Sequence, residues 1–167
     1  MKIAVKTLTL FAFMVLSIYL CPPVSAADGT ISGTITLEME DGRVEPGNWV
    51  RILLVTRAAE LPKMNTPKRP ADPGYVDCVN SLHSRFYILI RDLFSEKGYL
   101  IASTLSTDEG TFKIPAVEPG NYFVLVTFPG NIRGYKVAWQ VPVKVESGKT
   151  TTVNLDRSNM ALPTVKR

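Results

Sequence analysis

His83 is the single histidine of the chain, and an imidazole beside a hydroxyl and a carboxylate is the raw material of a nucleophile–base pair. Ser81 and Asp92 lie close to it in sequence. On a helix, however, residues two positions apart face different sides, so Ser81 and His83 do not meet. At 100° per residue His83 falls within about 40° of Val79, on an apolar border, and reads as a packed side chain rather than a base. Metal chemistry needs clustered His, Cys, Asp or Glu. Glu38, Glu40 and Asp41 form the one acidic cluster, with Glu38 and Glu40 on the same strand face; that is the pattern of a solvated strand end, with a weak calcium site as the alternative. Asp108 and Glu109 are adjacent carboxylates on a turn and point apart, so they read as turn formers. Aromatic rings remain. Trp49, Tyr99, Tyr135 and Trp139 are of the kind that stacks on sugar faces. Tyr135 and Trp139 fall on an apolar face and read as core, whereas Trp49 follows Pro46-Gly47-Asn48 at a strand start and is the ring expected at the surface.

The elements that hold these residues are mostly short strands separated by Gly, Pro, Asn and Asp. Residues 27–37, with Gly29 and Gly33 around Ile31, Ile35 and Leu37, suit a first edge strand. Asp41-Gly42 and Pro46-Gly47 are turn signals. Residues 49–57 form an almost continuous apolar strand, with Val50, Ile52 and Leu54 on one face and Leu53 and Val55 on the other, as in a central strand covered on both sides. Residues 135–146 alternate in six matches to period two, which predicts a half-exposed strand. Pro142 cannot donate to a ladder and puts that strand at an edge or a bulge. Residues 122–128 alternate after Pro119-Gly120-Asn121, and residues 150–155 supply a last strand after Ser147-Gly148.

One segment departs from this rhythm. Over residues 77–97, Val79, Leu82, Phe86, Leu89, Ile90, Leu93 and Phe94 share one side at helical spacing, opposite Asn80, Ser84, Arg85, Arg91 and Asp92. Asp77 suits an N-cap and Gly98 a C-terminal stop. The helix needs an apolar surface, on its own sheet or on a second copy. Before it, residues 58–75 carry Pro62, Pro67, Pro70 and Pro73 with Lys63, Lys68 and Arg69, which excludes helix and central strand. The tail, residues 158–167, has no pattern and is expected to fray.

The chain has 167 residues, 46% hydrophobic, with formal net charge +4. It is too apolar for disorder. Lys2 and Lys6 precede an apolar stretch from Leu8 to Leu20, and Val24-Ser25-Ala26 offers small residues for cleavage, the layout of an export signal over residues 1–26. The stretch is short of the roughly 20 residues of a spanning helix. Leu20 before Cys21 argues against lipidation there. Removing the leader takes away two lysines and no acid, lowering the charge to +2; that is too little to imply nucleic acid or an anionic membrane. Cleavage also leaves Cys78 without an internal disulfide partner.

The stretch Ser106-Thr107-Asp108-Glu109-Gly110-Thr111-Phe112-Lys113-Ile114, followed by Val117-Glu118-Pro119-Gly120-Asn121-Tyr122, resembles the carboxypeptidase regulatory-like, transthyretin-like domain of many bacterial exported proteins. Gly29-Thr30-Ile31-Ser32-Gly33-Thr34-Ile35 is similar to that family's opening strand. The insertion over residues 58–98 has no counterpart in the family pattern. Physically, Asp108 would fix a turn, Gly110 would take a positive φ, Phe112 would point inward, and Tyr122 would drop into the core. Transthyretin-like folds include a purine-pathway hydrolase with several histidines and a C-terminal Tyr-Arg-Gly-Ser, which this chain lacks. The related collagen-adhesin B-type repeats form Lys–Asn isopeptide bonds; Asn154 sits in the last strand, but the first strand has no Lys.

The sequence therefore predicts an all-β, transthyretin-like or Ig-like sandwich of about seven strands over residues 27–157, with one inserted amphipathic helix. The expected function is a non-catalytic binding or structural module, periplasmic or secreted, without cofactor or metal. Its expected partner is a protein or polysaccharide of the cell envelope, contacted through Trp49, Lys63, Lys68, Arg69, Arg85 and Arg91, with self-association through the helix as an option. The alternative is a carbohydrate-binding sandwich using exposed aromatics.

Overall fold

The computed structural model describes residues 27–64 and 69–166. The leader, with Cys21, and Lys68 lie outside the described residues. Seven strands have five residues or more: β1 (Gly29–Glu38), β3 (Arg51–Val55), β4 (Leu100–Leu105), β5 (Thr111–Val117), β6 (Gly120–Val126), β9 (Trp139–Val145) and β10 (Thr150–Leu155). Four shorter ones complete the set: β2 (Val44–Pro46), β7 (Asn131–Ile132), β8 (Tyr135–Lys136) and β11 (Val165–Lys166). One sheet is built around β1, which pairs with β10, β5 and β2; a second has the order β4-β3-β6-β9, and a small third one the order β11-β8-β7. Alternating residues of the first two sheets close a core of Ile31, Ile35, Ile52, Leu54, Phe112, Val124, Trp139 and Leu155 between them. The fold is a β-sandwich, as the sequence predicts.

Strand β1 is central rather than at an edge. It runs parallel to β10 and antiparallel to β5 along the same residues. Gly33 explains the difference. A Cβ there would collide with the Val153 carbonyl and come within 2.9 Å of the Phe112 ring, so the glycine is what lets three backbones and an aromatic crowd together. Strand β3 is buried on both faces as expected: Ile52 and Leu54 face the sandwich, while Leu53 and Val55 face the helix side. Strand β9 is an edge strand and carries Pro142. The predicted single strand over 135–146 is broken, because Val137 and Ala138 are both buried, in different cores, where the chain passes from the β7–β8 ribbon into β9.

The helix, α1, spans Tyr75–Leu93 rather than 77–97. Its cap is Gly74 in the left-handed region (φ 72°), and Asp77 sits in the first turn, where its charge complements the helix dipole instead of capping. The last turn closes at Phe94, whose N–H reaches the Ile90 and Arg91 carbonyls; Gly98 lies four residues further on, at φ 81° in the turn before β4. Phe86, Ile90 and Leu82 pack with Leu53, Val55, Leu125 and Ala138. The helix thus covers the outer face of its own second sheet. Leu89 and Phe94, assigned to the apolar side by sequence, are exposed together with Ile88. The loop before it is tied down early: Ala59 N–H donates to Gln140 Oε1 (2.8 Å) and Gln140 Nε2 donates back to the Ala59 carbonyl (3.0 Å).

The tail does not fray over its described part. Asp156 caps a 3-10 turn at Arg157–Asn159 through Ser158 N–H, and Asn159 Oδ1 accepts from Asp156 N–H. Trp139 Nε1 donates to the Asp156 carbonyl at 2.8 Å. Leu162 and Val165 are buried, and β11 pairs with β8. Two apolar side chains seven and ten positions beyond the last predicted strand give no period to read, yet their burial is what holds the segment.

Candidate functional site

His83 is 2% exposed, and its Nε2 lies 2.8 Å from the Pro163 carbonyl, so the proton sits on that nitrogen and donates. Burial holds the imidazole below its ordinary pKa, and the nearby Lys136 charge pushes the same way against the Pro163 bond. Ser81 is exposed on another side of the helix. His83 is a clamp between α1 and the C-terminal segment, as a packed histidine should be. Among the described residues no group of three or more His, Cys, Asp or Glu is placed to hold a metal ion. No helix among them is long and apolar enough to cross a membrane.

The four rings singled out by sequence separate sharply. Trp139 and Tyr99 are buried, and Tyr135 is half-buried beneath the Lys166 ammonium, 5.9 Å from the ring centre. Trp49 is 65% exposed. It stands in the loop between β2 and β3 with φ 55°, a left-handed backbone that costs a non-glycine residue about 1–2 kcal/mol. The loop holds that conformation by hydrogen bonds from both sides. Gly47 N–H donates to the Ile35 carbonyl at 2.8 Å. The buried Ser106 hydroxyl donates to the Gly47 carbonyl and accepts from Val50 N–H at 2.9 Å, and Ser106 N–H donates to the Val50 carbonyl at 3.0 Å. Trp49 Nε1 donates to Asp108 Oδ1 at 2.7 Å. The indole is therefore pinned at its edge while its face stays in water.

This corrects the expectation for Asp108. The turn it was expected to fix is closed by Thr107: Gly110 N–H donates to the Thr107 carbonyl (3.0 Å), and the Thr107 hydroxyl meets both Thr111 Oγ1 (2.9 Å) and Thr111 N–H (3.3 Å). Asp108 is thereby left to hold Trp49. Gly110 has φ 76° as expected, and a Cβ there would meet the Ile35 carbonyl at 2.6 Å. Phe112 is buried, and Tyr122 packs at the core edge with its hydroxyl donating to the Glu118 carbonyl at 3.0 Å.

Beside Trp49 lies a cavity of about 430 Å3, within the usual span of small-ligand sites. Asn48, Arg51, Leu105, Asn131 and Arg133 share its lining with Trp49. Arg133 is at the tip of the β7–β8 hairpin, where Arg133 (φ 51°) and Gly134 (φ 83°) make a two-residue type I′ turn. Its Nε donates to Glu45 Oε2 at 2.8 Å. The Arg51 side chain makes no hydrogen bond or ion pair among the described residues. Arg133 escaped the sequence reading because only the fold brings the β7–β8 hairpin to Trp49; Arg51 stands two positions from Trp49, but nothing in the local spacing marks its side chain as unpaired. Among the described residues, none of the other predicted contact residues borders this cavity. Lys63 and Arg85 are exposed, Arg69 pairs with Asp72 (3.3 Å), and Arg91 pairs with Asp92 (2.9 Å).

No family profile matches the chain, and no curated protein matches it in sequence. Solved structures do. The chain is similar to a Pseudomonas aeruginosa protein for which carbohydrate binding has been suggested, at 14% identity and TM-score 0.46, covering 80% of this chain and 90% of that one. It is similar to GBS52, the minor pilin of the gram-positive pathogen Streptococcus agalactiae, at 17% identity and TM-score 0.47, covering 87% of this chain and half of that one. A DUF3823 family protein from Parabacteroides merdae aligns at 15% identity and TM-score 0.42, over 79% of this chain and 46% of that one.

Proposed function

We propose that the chain is a non-catalytic, exported binding module that takes a saccharide of the cell envelope on the face of Trp49. One observation carries this reading. A large indole stands mostly in water on a left-handed backbone, locked by Asp108 at its edge and by Ser106 beneath its loop. Backbone strain of this kind persists only where the surroundings enforce it, and it concentrates where ligands are gripped. A flat, rigid, pre-oriented ring loses little entropy on stacking. The amides of Asn48 and Asn131 beside it are donors and acceptors of the type that hydroxyl groups need. The leader-like first 26 residues support export.

The test is tryptophan emission during titration with soluble envelope polysaccharides. Trp139 is fully buried and insulated, so a red-edge change reports Trp49. The reading expects saturable change in the native chain and none with Trp49→Ala. Binding that is unaltered by Trp49→Ala would overturn it.

A second reading, contact with a protein through α1, draws on Ile88, Leu89 and Phe94, which stand exposed beside the unpaired Arg85. Ile88→Asp combined with Phe94→Ser, with pull-down from an envelope extract, tests it; an unchanged partner set dismisses it.

A further inference from the structure

We infer that the saccharide class recognised at Trp49 is anionic: a glycan carrying carboxylate, sulfate or phosphate groups, its charge seated between Arg51 and Arg133. The inference rests on the stacking role of Trp49 proposed above and adds the charge of the ligand. No carboxylate lines the cavity, whereas two guanidinium groups do. Four other described arginines sit with acids, Arg43 with Asp41 and Glu45, Arg57 with Glu96, Arg69 with Asp72 and Arg91 with Asp92, while Arg157 donates to the Glu38 carbonyl and Arg85, on α1, has no ion pair among the described residues. Arg51 has no such neighbour, although it starts a strand whose other four residues are buried. Arg133 spends only Nε on Glu45, leaving both Nη groups unpaired among the described residues. That bond also fixes the guanidinium in place. A planar fork held in one orientation is the group best suited to a bidentate grip on carboxylate, sulfate or phosphate oxygens.

The single acid near the ring, Asp108, has one oxygen engaged by the indole N–H and is absent from the cavity lining. A neutral sugar would leave Arg51, and the Nη groups of the Glu45-paired Arg133, unanswered. A polyanionic peptide would answer them but would not use the exposed indole face. An acidic pyranose satisfies both, its apolar ring face on Trp49 and its charge on the arginines.

The experiment compares polygalacturonate with its fully methyl-esterified form, and extends the comparison to a glycan array of carboxylated, sulfated, phosphorylated and neutral saccharides. Poly-glutamate serves as the peptide arm. Native chain, Arg51→Gln and Trp49→Ala are used, each with its melting temperature measured. The inference expects anionic glycans to dominate, binding to weaken roughly tenfold in Arg51→Gln through loss of one charge-assisted hydrogen bond, and affinity to fall with added salt. Trp49→Ala should abolish it. Neutral glycans bound equally well, with Trp49→Ala abolishing and Arg51→Gln sparing them, would overturn the charge assignment while leaving the stacking role intact. Poly-glutamate bound in preference to every glycan would overturn the saccharide assignment. No Trp49-dependent binding to any member would overturn both.

Discussion

Replacing Phe86 by alanine removes the ring that seats α1 on the second sheet. The side chain is wholly buried among Leu53, Val55, Leu125 and Ile90. A phenylalanine buries roughly 150–250 Å2, and at about 25 cal/mol per Å2 this is about 4–6 kcal/mol, of which alanine keeps a small part. Truncations of this kind cost about 3–5 kcal/mol. For a domain of this size that is a fall of roughly 10–16 °C in melting temperature. The matched control is Ile88→Ala, two positions along the same helix. Ile88 is 44% exposed, and alanine's better helix propensity returns about 0.4 kcal/mol, so its net cost should lie below about 1 kcal/mol. Urea unfolding of both variants, followed by circular dichroism, gives the comparison. Equal costs for the two would refute the packing of α1 on its own sheet. So would a native melting temperature that climbs with protein concentration, the mark of a helix that covers a second copy.

Four other outcomes follow from the same contacts. Gly33→Ala must push Val153 or Phe112 aside and should cost more than about 3 kcal/mol by thermal melt, whereas Gly42→Ala, which meets no atom, should cost only the roughly 1 kcal/mol of its left-handed backbone. Ser106→Ala strands the Gly47 carbonyl and the Val50 N–H and should lower stability by about 2–4 kcal/mol in urea titration. Asp108→Ala should leave the melting temperature within a few degrees but remove the acceptor and free the indole, seen as faster local decay of Trp49 fluorescence anisotropy. The folded chain binds a proton at His83 less readily than the unfolded chain, because its pKa is lowered. Stability from the neutral imidazole is therefore full above about pH 6.5, the ordinary value, and falls as pH drops through it toward the lower folded value. His83→Gln should flatten that part of the melting-temperature profile.

Local patterns made much of the sandwich readable. The two-faced apolar run of β3, the turn at Asp41-Gly42, the Pro142 edge strand and the helical spacing of Val79, Leu82, Phe86 and Ile90 each encode their position within a few residues. What escaped was set by tertiary contact. The centrality of β1 depends on how closely Val153 and Phe112 approach Gly33, which no neighbour in sequence reveals. Leu162 and Val165 are too sparse to show a period, yet they hold the last segment. Trp49 was legible as an exposed ring because of the turn before it. Its distant partners were not: Asp108 lies 59 positions away in another loop, and Arg133 is joined to it only by the fold.

The most direct test of a ligand stacked on a pinned indole is a 1H–15N spectrum, in which Trp49 and Trp139 each give one indole N–H signal. On titration with polygalacturonate, the Trp49 signal, which reports the bond to Asp108, should move saturably while the Trp139 signal, bonded to the Asp156 carbonyl inside the core, stays still. A Trp49 signal unmoved by this and every other anionic glycan, or both signals moving together, would contradict the account.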